Sequence, residues 1–97
     1  SIAEAEGEFY FYEIESLNDE ASHVLSKSKL DRLYFGSLKN LSVSAAKSFS
    51  KFEGTLYFGE GAWLEDDIAE ILSEKFDNGS LEIEENQKLT NHMAKFI

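Results

Sequence analysis

A chain of 97 residues has room for one domain, and a domain of that size buries only about 60–65 % of the surface its unfolded form exposes. With 42 % hydrophobic residues, eight Phe and four Tyr, it is too apolar for a disordered segment despite a net charge of −10, so a packed core is expected. The lack of Cys excludes disulfides and thiolate metal sites, and the longest apolar run is too short to span a membrane.

Residues 1–8 are acidic and read as an N-terminal cap or tail, with none of the basic charge of a signal or transit peptide. Phe9-Tyr10-Phe11 then opens a first copy, to about Arg32, of a repeat of about two dozen residues. Apolar residues at every second position predict a short strand with one buried face. After Leu17 the spacing changes to that of a helix, with Ala21, Ser22 and Leu25 on one side. Asn18 precedes it and can accept from the free backbone N–H groups of a helix start. Before Lys27 there are seven acidic residues and no Lys or Arg.

The second copy, about 33–55, repeats the pattern: Leu33-Tyr34-Phe35, then Leu41, the cap candidate Ser42, and Ala45, Ala46 and Phe49. Six basic residues and one acidic lie between Lys27 and Lys51. Gly54-Thr55 closes this copy, and Gly there can take the left-handed conformation of a helix exit. In the third, about 56–80, Leu56-Tyr57-Phe58 and Leu64 precede Glu65, the apolar stripe Ile68, Ile71 and Leu72, and Gly79-Ser80. Asp66 and Asp67 favour the first turn of that helix. The fourth, 81–97, runs from Leu81-Glu82-Ile83 through Leu89 and Thr90 to Met93, Ala94 and Ile97, where its helix is incomplete. It reads as part of a longer array. From Phe52 to Asn86 there are eleven acidic residues and one basic.

A strand–helix unit this short cannot bury its own apolar face, but stacked copies can: strands pair in parallel at about 4.8 Å and helices line the opposite side. This α/β arrangement, with Leu30, Leu33, Phe35, Leu38 and Leu41 spaced as LxxLxLxxLxxL, resembles a divergent bacterial-type leucine-rich repeat of about 23–25 residues. Leu41-Ser42-Val43-Ser44-Ala45-Ala46 is the nearest match to that type's Ser-x-x-Ala-Ala helix start, while Ile14, Leu38 and Gly61 stand where the family usually carries Asn. The resemblance implies a short solenoid that binds another protein on the exposed side of its parallel sheet.

The residues lead to the same surface. Between the buried columns lies an outward one, Tyr10, Tyr34, Tyr57 and Glu82, and two residues on lies Tyr12, Gly36, Gly59 and Glu84. The glycines are expected to leave Tyr34 and Tyr57 open to a partner, since rigid, amphipathic Tyr is a frequent binding anchor. Tyr is equally a good strand former whose rings stabilise neighbouring strands, so both readings stand. Candidate binding residues are Tyr10, Tyr12, Tyr34, Tyr57, Glu60, Glu82 and Glu84. The alternatives are an acidic inhibitor or immunity-like protein that uses Glu60, Glu82 and Glu84 to block a basic nucleic-acid-binding site, or a structural spacer in an array.

No catalytic constellation is apparent. His23 and His92 occupy different repeat positions and read as isolated surface residues, so neither enzyme activity, a metal nor a cofactor is expected. Glu82, Glu84 and Glu85 lack the spacing of a calcium loop and read as a solvated edge. Nucleic acid and anionic membranes are disfavoured as partners because their recognition needs clustered Lys and Arg. The unfinished fourth copy leaves an open edge that could pair with a second chain.

Overall fold

Four short alternating segments, each with apolar residues on one side, have nowhere to bury them except against one another. The computed structural model describes residues 7–97, so the expected acidic cap lies outside the described residues but for Gly7 and Glu8. Strands and helices alternate strictly: β1 (Glu8–Phe11), α1 (Asp19–Ser26), β2 (Arg32–Phe35), α2 (Val43–Ser50), β3 (Thr55–Phe58), α3 (Asp66–Asp77), β4 (Leu81–Ile83) and α4 (Gln87–Ala94). The chain is an α/β protein with one four-stranded parallel sheet in the order β1-β2-β3-β4.

The register is the one the repeat predicts. Phe9, Leu33, Leu56 and Leu81 are partners across the sheet, as are Tyr10, Tyr34, Tyr57 and Glu82, and Phe11, Phe35, Phe58 and Ile83. Pairing runs one residue past the strands, where the Gly36, Gly59 and Glu84 N–H groups donate to Phe11, Phe35 and Phe58 carbonyls at 3.0, 2.9 and 2.9 Å. A one-residue slip would turn every apolar side chain to the other face, so burial enforces this alignment.

The covered face carries the core. Leu33, Phe35, Leu56, Phe58 and Leu81 meet Ala46, Phe49, Ile68, Ala69, Leu72, Leu89 and Met93 from the helices, with Leu38 and Leu64 closing the turns. Phe35 is the centre, with ring centroids 5.5 Å from Phe11, 5.6 Å from Phe49 and 5.9 Å from Phe58. Burying one such ring is worth about 1.5–3 kcal/mol. Ser22 replaces the alanine of this column in the first copy and stays satisfied because its hydroxyl donates to the Asn18 carbonyl at 2.8 Å.

Helix starts follow the expected caps in two copies. The Asn18 side chain accepts from the Ala21 N–H at 2.7 Å, and Ser42 Oγ from the Ala45 N–H at 3.0 Å. Glu65 occupies the same position in α3 but makes no side-chain cap bond. The fourth copy departs from expectation. Its helix begins after Asn86 rather than after Thr90, and Thr90 lies within it, its hydroxyl directed to the Asn86 carbonyl at 3.1 Å. Asn86 determines this start: its Oδ1 accepts from the Leu89 N–H at 3.0 Å, while its amide donates to the Gly59 and Ala62 carbonyls at 2.9 and 2.8 Å. With the helix advanced, Met93 keeps its core position but Ala94 and Ile97, expected inside, are exposed.

Two further expectations are corrected. Gly79 takes the left-handed conformation, φ +85°, but Gly54 does not; a Cβ on Gly54 would lie 2.5 and 2.6 Å from the Asp31 and Leu30 carbonyl oxygens, so close approach is what requires it. His23 is exposed as expected, whereas His92 is buried, its ring stacked on Trp63 with centroids 4.6 Å apart. Its Nε2 lies 3.1 Å from Asp66 Oδ1, out of line for a hydrogen bond.

Candidate functional site

Strand periodicity sends every second side chain to the face opposite the helices, and Tyr10, Tyr34, Tyr57 and Glu82 lie there in a row of Cα partners. Tyr12, beyond the end of β1, turns to the same side. The rings do not form a uniform row. Tyr10, Tyr12 and Tyr34 cluster, with centroids 5.7 Å apart for Tyr10–Tyr12, 5.6 Å for Tyr10–Tyr34 and 5.4 Å for Tyr12–Tyr34. Tyr57 is covered instead by Arg32, whose guanidinium carbon lies 5.6 Å from the ring centroid.

The glycines act differently from expectation. Gly59 does not leave Tyr34 standing open, because the Tyr34 hydroxyl lies over Gly59 where a Cβ would be, and Gly59 itself is buried. Gly36 is likewise a point of close approach, where a Cβ would lie 2.9 Å from the Tyr12 carbonyl oxygen. Tyr34 and Tyr57 are therefore half-buried, and the open rings are Tyr10 and Tyr12, 49 % and 61 % exposed.

Together Tyr10, Tyr12, Arg32, Tyr34, Tyr57 and Glu84 line an open cavity of about 220 Å³. Small-molecule sites run to about 300–1,000 Å³, so this space suits a single long side chain better than a whole ligand. Of the candidate residues, the four tyrosines and Glu84 come together in it. Glu82 stands next to Tyr57 in the sheet, and Glu60 is exposed beyond the lining.

Arg32 is a site residue that the sequence reading passed over. It stands two residues before Tyr34 and so shares its face; the alternation Arg32-Tyr34-Gly36 contains the signal. Its Nη1 pairs with Glu8 Oε1 at 2.9 Å, and the other oxygen of Glu8 accepts from the Tyr10 hydroxyl at 3.1 Å.

The carboxylates set the electrostatics. Hydrogen bonding to Glu8 raises the Tyr10 hydroxyl above its usual pKa, and the Glu82 carboxylate does the same to Tyr57. For Tyr34 burial is the main cause of an upward shift, and Glu84, Tyr12, Glu85 and Glu60 add to it. Phenols shifted upward remain protonated at neutral pH, so all three keep an O–H to donate.

Among the described residues no helix is long and apolar enough to cross a membrane. No protein-family model, curated protein or solved structure gives a significant match to this chain.

Proposed function

We propose that the chain is a non-catalytic protein-interaction module of leucine-rich-repeat type, a short solenoid that holds a protein partner on its tyrosine-lined sheet face. One observation carries the reading: the face free of helices gathers four tyrosines, Arg32 and Glu84 around one open cavity. Tyr and Arg supply large contact areas at low conformational cost, and they are the side chains that dominate binding energy at interfaces. The repeat reading gains support from Asn86, which occupies the column of Ile14, Leu38 and Gly61 where the family carries Asn. It ties its own copy to two carbonyls of the preceding one.

Affinity capture from lysate of the source organism tests the reading. The baits are the intact chain and a Tyr10→Ser, Tyr34→Ser, Tyr57→Ser variant shown by circular dichroism to be equally folded. A protein retained by the intact chain alone is the expected result. Equal retention by both, or none by either, contradicts it and leaves the tyrosines as cross-strand packing.

A further inference from the structure

Resting on that reading, we infer that the cavity is the seat for an arginine side chain of a basic partner segment, its guanidinium over the Tyr12 and Tyr34 rings and its fork toward Glu84. Three observations converge on this occupant.

The first is that the protein already places a guanidinium on this surface, with Arg32 over Tyr57. Among the described residues the other cations over aromatic rings are Lys75 at Phe52 and Lys88 at Trp63, so the Tyr10, Tyr12 and Tyr34 cluster carries none. A cation within about 6 Å of a ring centroid is attracted by the negative face of the ring.

The second is charge. Arg32 is the single cation of the lining and is engaged by Glu8, whereas Glu84 has no ion-pair partner among the described residues. Glu60, Glu84 and Glu85 all act on Tyr34 in the same direction, that of negative charge nearby. An acidic ligand would meet repulsion here. An apolar or proline-rich segment would strip water from Glu84 without replacing its hydrogen bonds.

The third is shape: a planar guanidinium can stack on a ring and fork to a carboxylate at once, which the compact ammonium of Lys cannot. The cavity is of side-chain size.

Fluorescence anisotropy with labelled alternating Arg-Ser, Lys-Ser and Glu-Ser peptides of equal length tests the inference at fixed ionic strength. The Arg-Ser peptide is expected to bind most tightly and the Glu-Ser peptide not at all. Tyr12→Ser, which leaves net charge unchanged, and Glu84→Gln should each weaken Arg-Ser binding by about tenfold. Glu70→Gln, the same charge change on exposed α3 surface, should shift it by less than about twofold. Equal losses for Glu84→Gln and Glu70→Gln would show only diffuse attraction to an acidic protein and overturn the inference, as would Lys-Ser binding as tight as Arg-Ser. If the Arg-Ser peptide fails to bind while capture on the intact chain remains tyrosine-dependent, the arginine seat falls and the interaction module stands. Loss of both removes the two together.

Discussion

Gly54 and Gly59 flank the same strand, β3, and meet different neighbours in space. Behind Gly54 are backbone oxygens, and a methyl group there has to push two carbonyls aside; above Gly59 the main obstacle is the far end of the Tyr34 side chain, which can swing away, with the Gly36 Cα at 3.1 Å needing to give by only a few tenths of an ångström. Gly54→Ala should therefore cost about 1–3 kcal/mol in urea unfolding, and Gly59→Ala distinctly less while it lifts the Tyr34 ring off the sheet. Lys75 gives a residue-scale dependence on pH. Its Nζ donates to the Phe52 carbonyl at 2.6 Å in a buried setting, and burial lowers its pKa from 10.5. Between the lowered value and 10.5 the native state binds fewer protons than the unfolded one, so this group makes stability rise with pH in that window. The raised values of Tyr10, Tyr34 and Tyr57 act oppositely: their contribution is complete below about 10.0 and is lost as pH rises through the folded values. Unfolding midpoints followed into alkaline solution carry both contributions, and Lys75→Met should remove the rising one alone, so that its midpoint falls more steeply with pH than that of the intact chain. None of this was legible in the sequence, because the oxygens behind Gly54 and the carbonyl that receives Lys75 come from other copies of the repeat.

At the scale of elements, the four strands were legible because each has an apolar–Tyr/Glu–apolar core whose buried face admits one register. Two helix starts were legible for a local reason, a side chain bonding the backbone N–H three residues on, at Asn18 and Ser42. The start of α4 was not. The periodic column pointed to Thr90, but Asn86 reaches the Gly59 and Ala62 carbonyls on the preceding copy and fixes the helix from there. A contact between copies thus overrides the local pattern. Asn86→Ala removes one cap and both bonds to the preceding copy; the Gly59 carbonyl still accepts from the Ala62 N–H at 3.2 Å, but the Ala62 carbonyl loses its partner, so the change should cost about 2–4 kcal/mol against about 0.5–2 kcal/mol for Asn18→Ala. Urea unfolding of the two variants under one set of conditions checks the order, and equal losses would mean that the bonds between copies contribute little.

Across the whole molecule, charge and sheet orientation decide what the surface can meet. The same face that presents the tyrosines has Glu82 and Glu84 at its β4 end, and Glu85 follows in the left-handed region at φ +55°. Exposed carboxylates along an edge strand oppose pairing with a second edge. The chain is accordingly expected to sediment as a monomer, and a Glu82→Gln, Glu84→Gln, Glu85→Gln variant to associate with rising concentration; an unchanged sedimentation profile would contradict this. That the tyrosines share the helix-free face was legible from strand parity alone. Its detail was not, since the lean of Tyr34 onto Gly59 and the engagement of Arg32 by Glu8 depend on neighbours from separate copies.

The most direct test of a binding face on the helix-free side is a ¹⁵N-detected titration of the folded chain with the alternating Arg-Ser peptide. Shifts are expected only at the amides of Glu8–Tyr12, Arg32–Gly36, Thr55–Gly59 and Leu81–Glu84, with the largest at Tyr12, Tyr34 and Glu84. Shifts concentrated on α1 to α4, or spread evenly over every acidic segment, would contradict it.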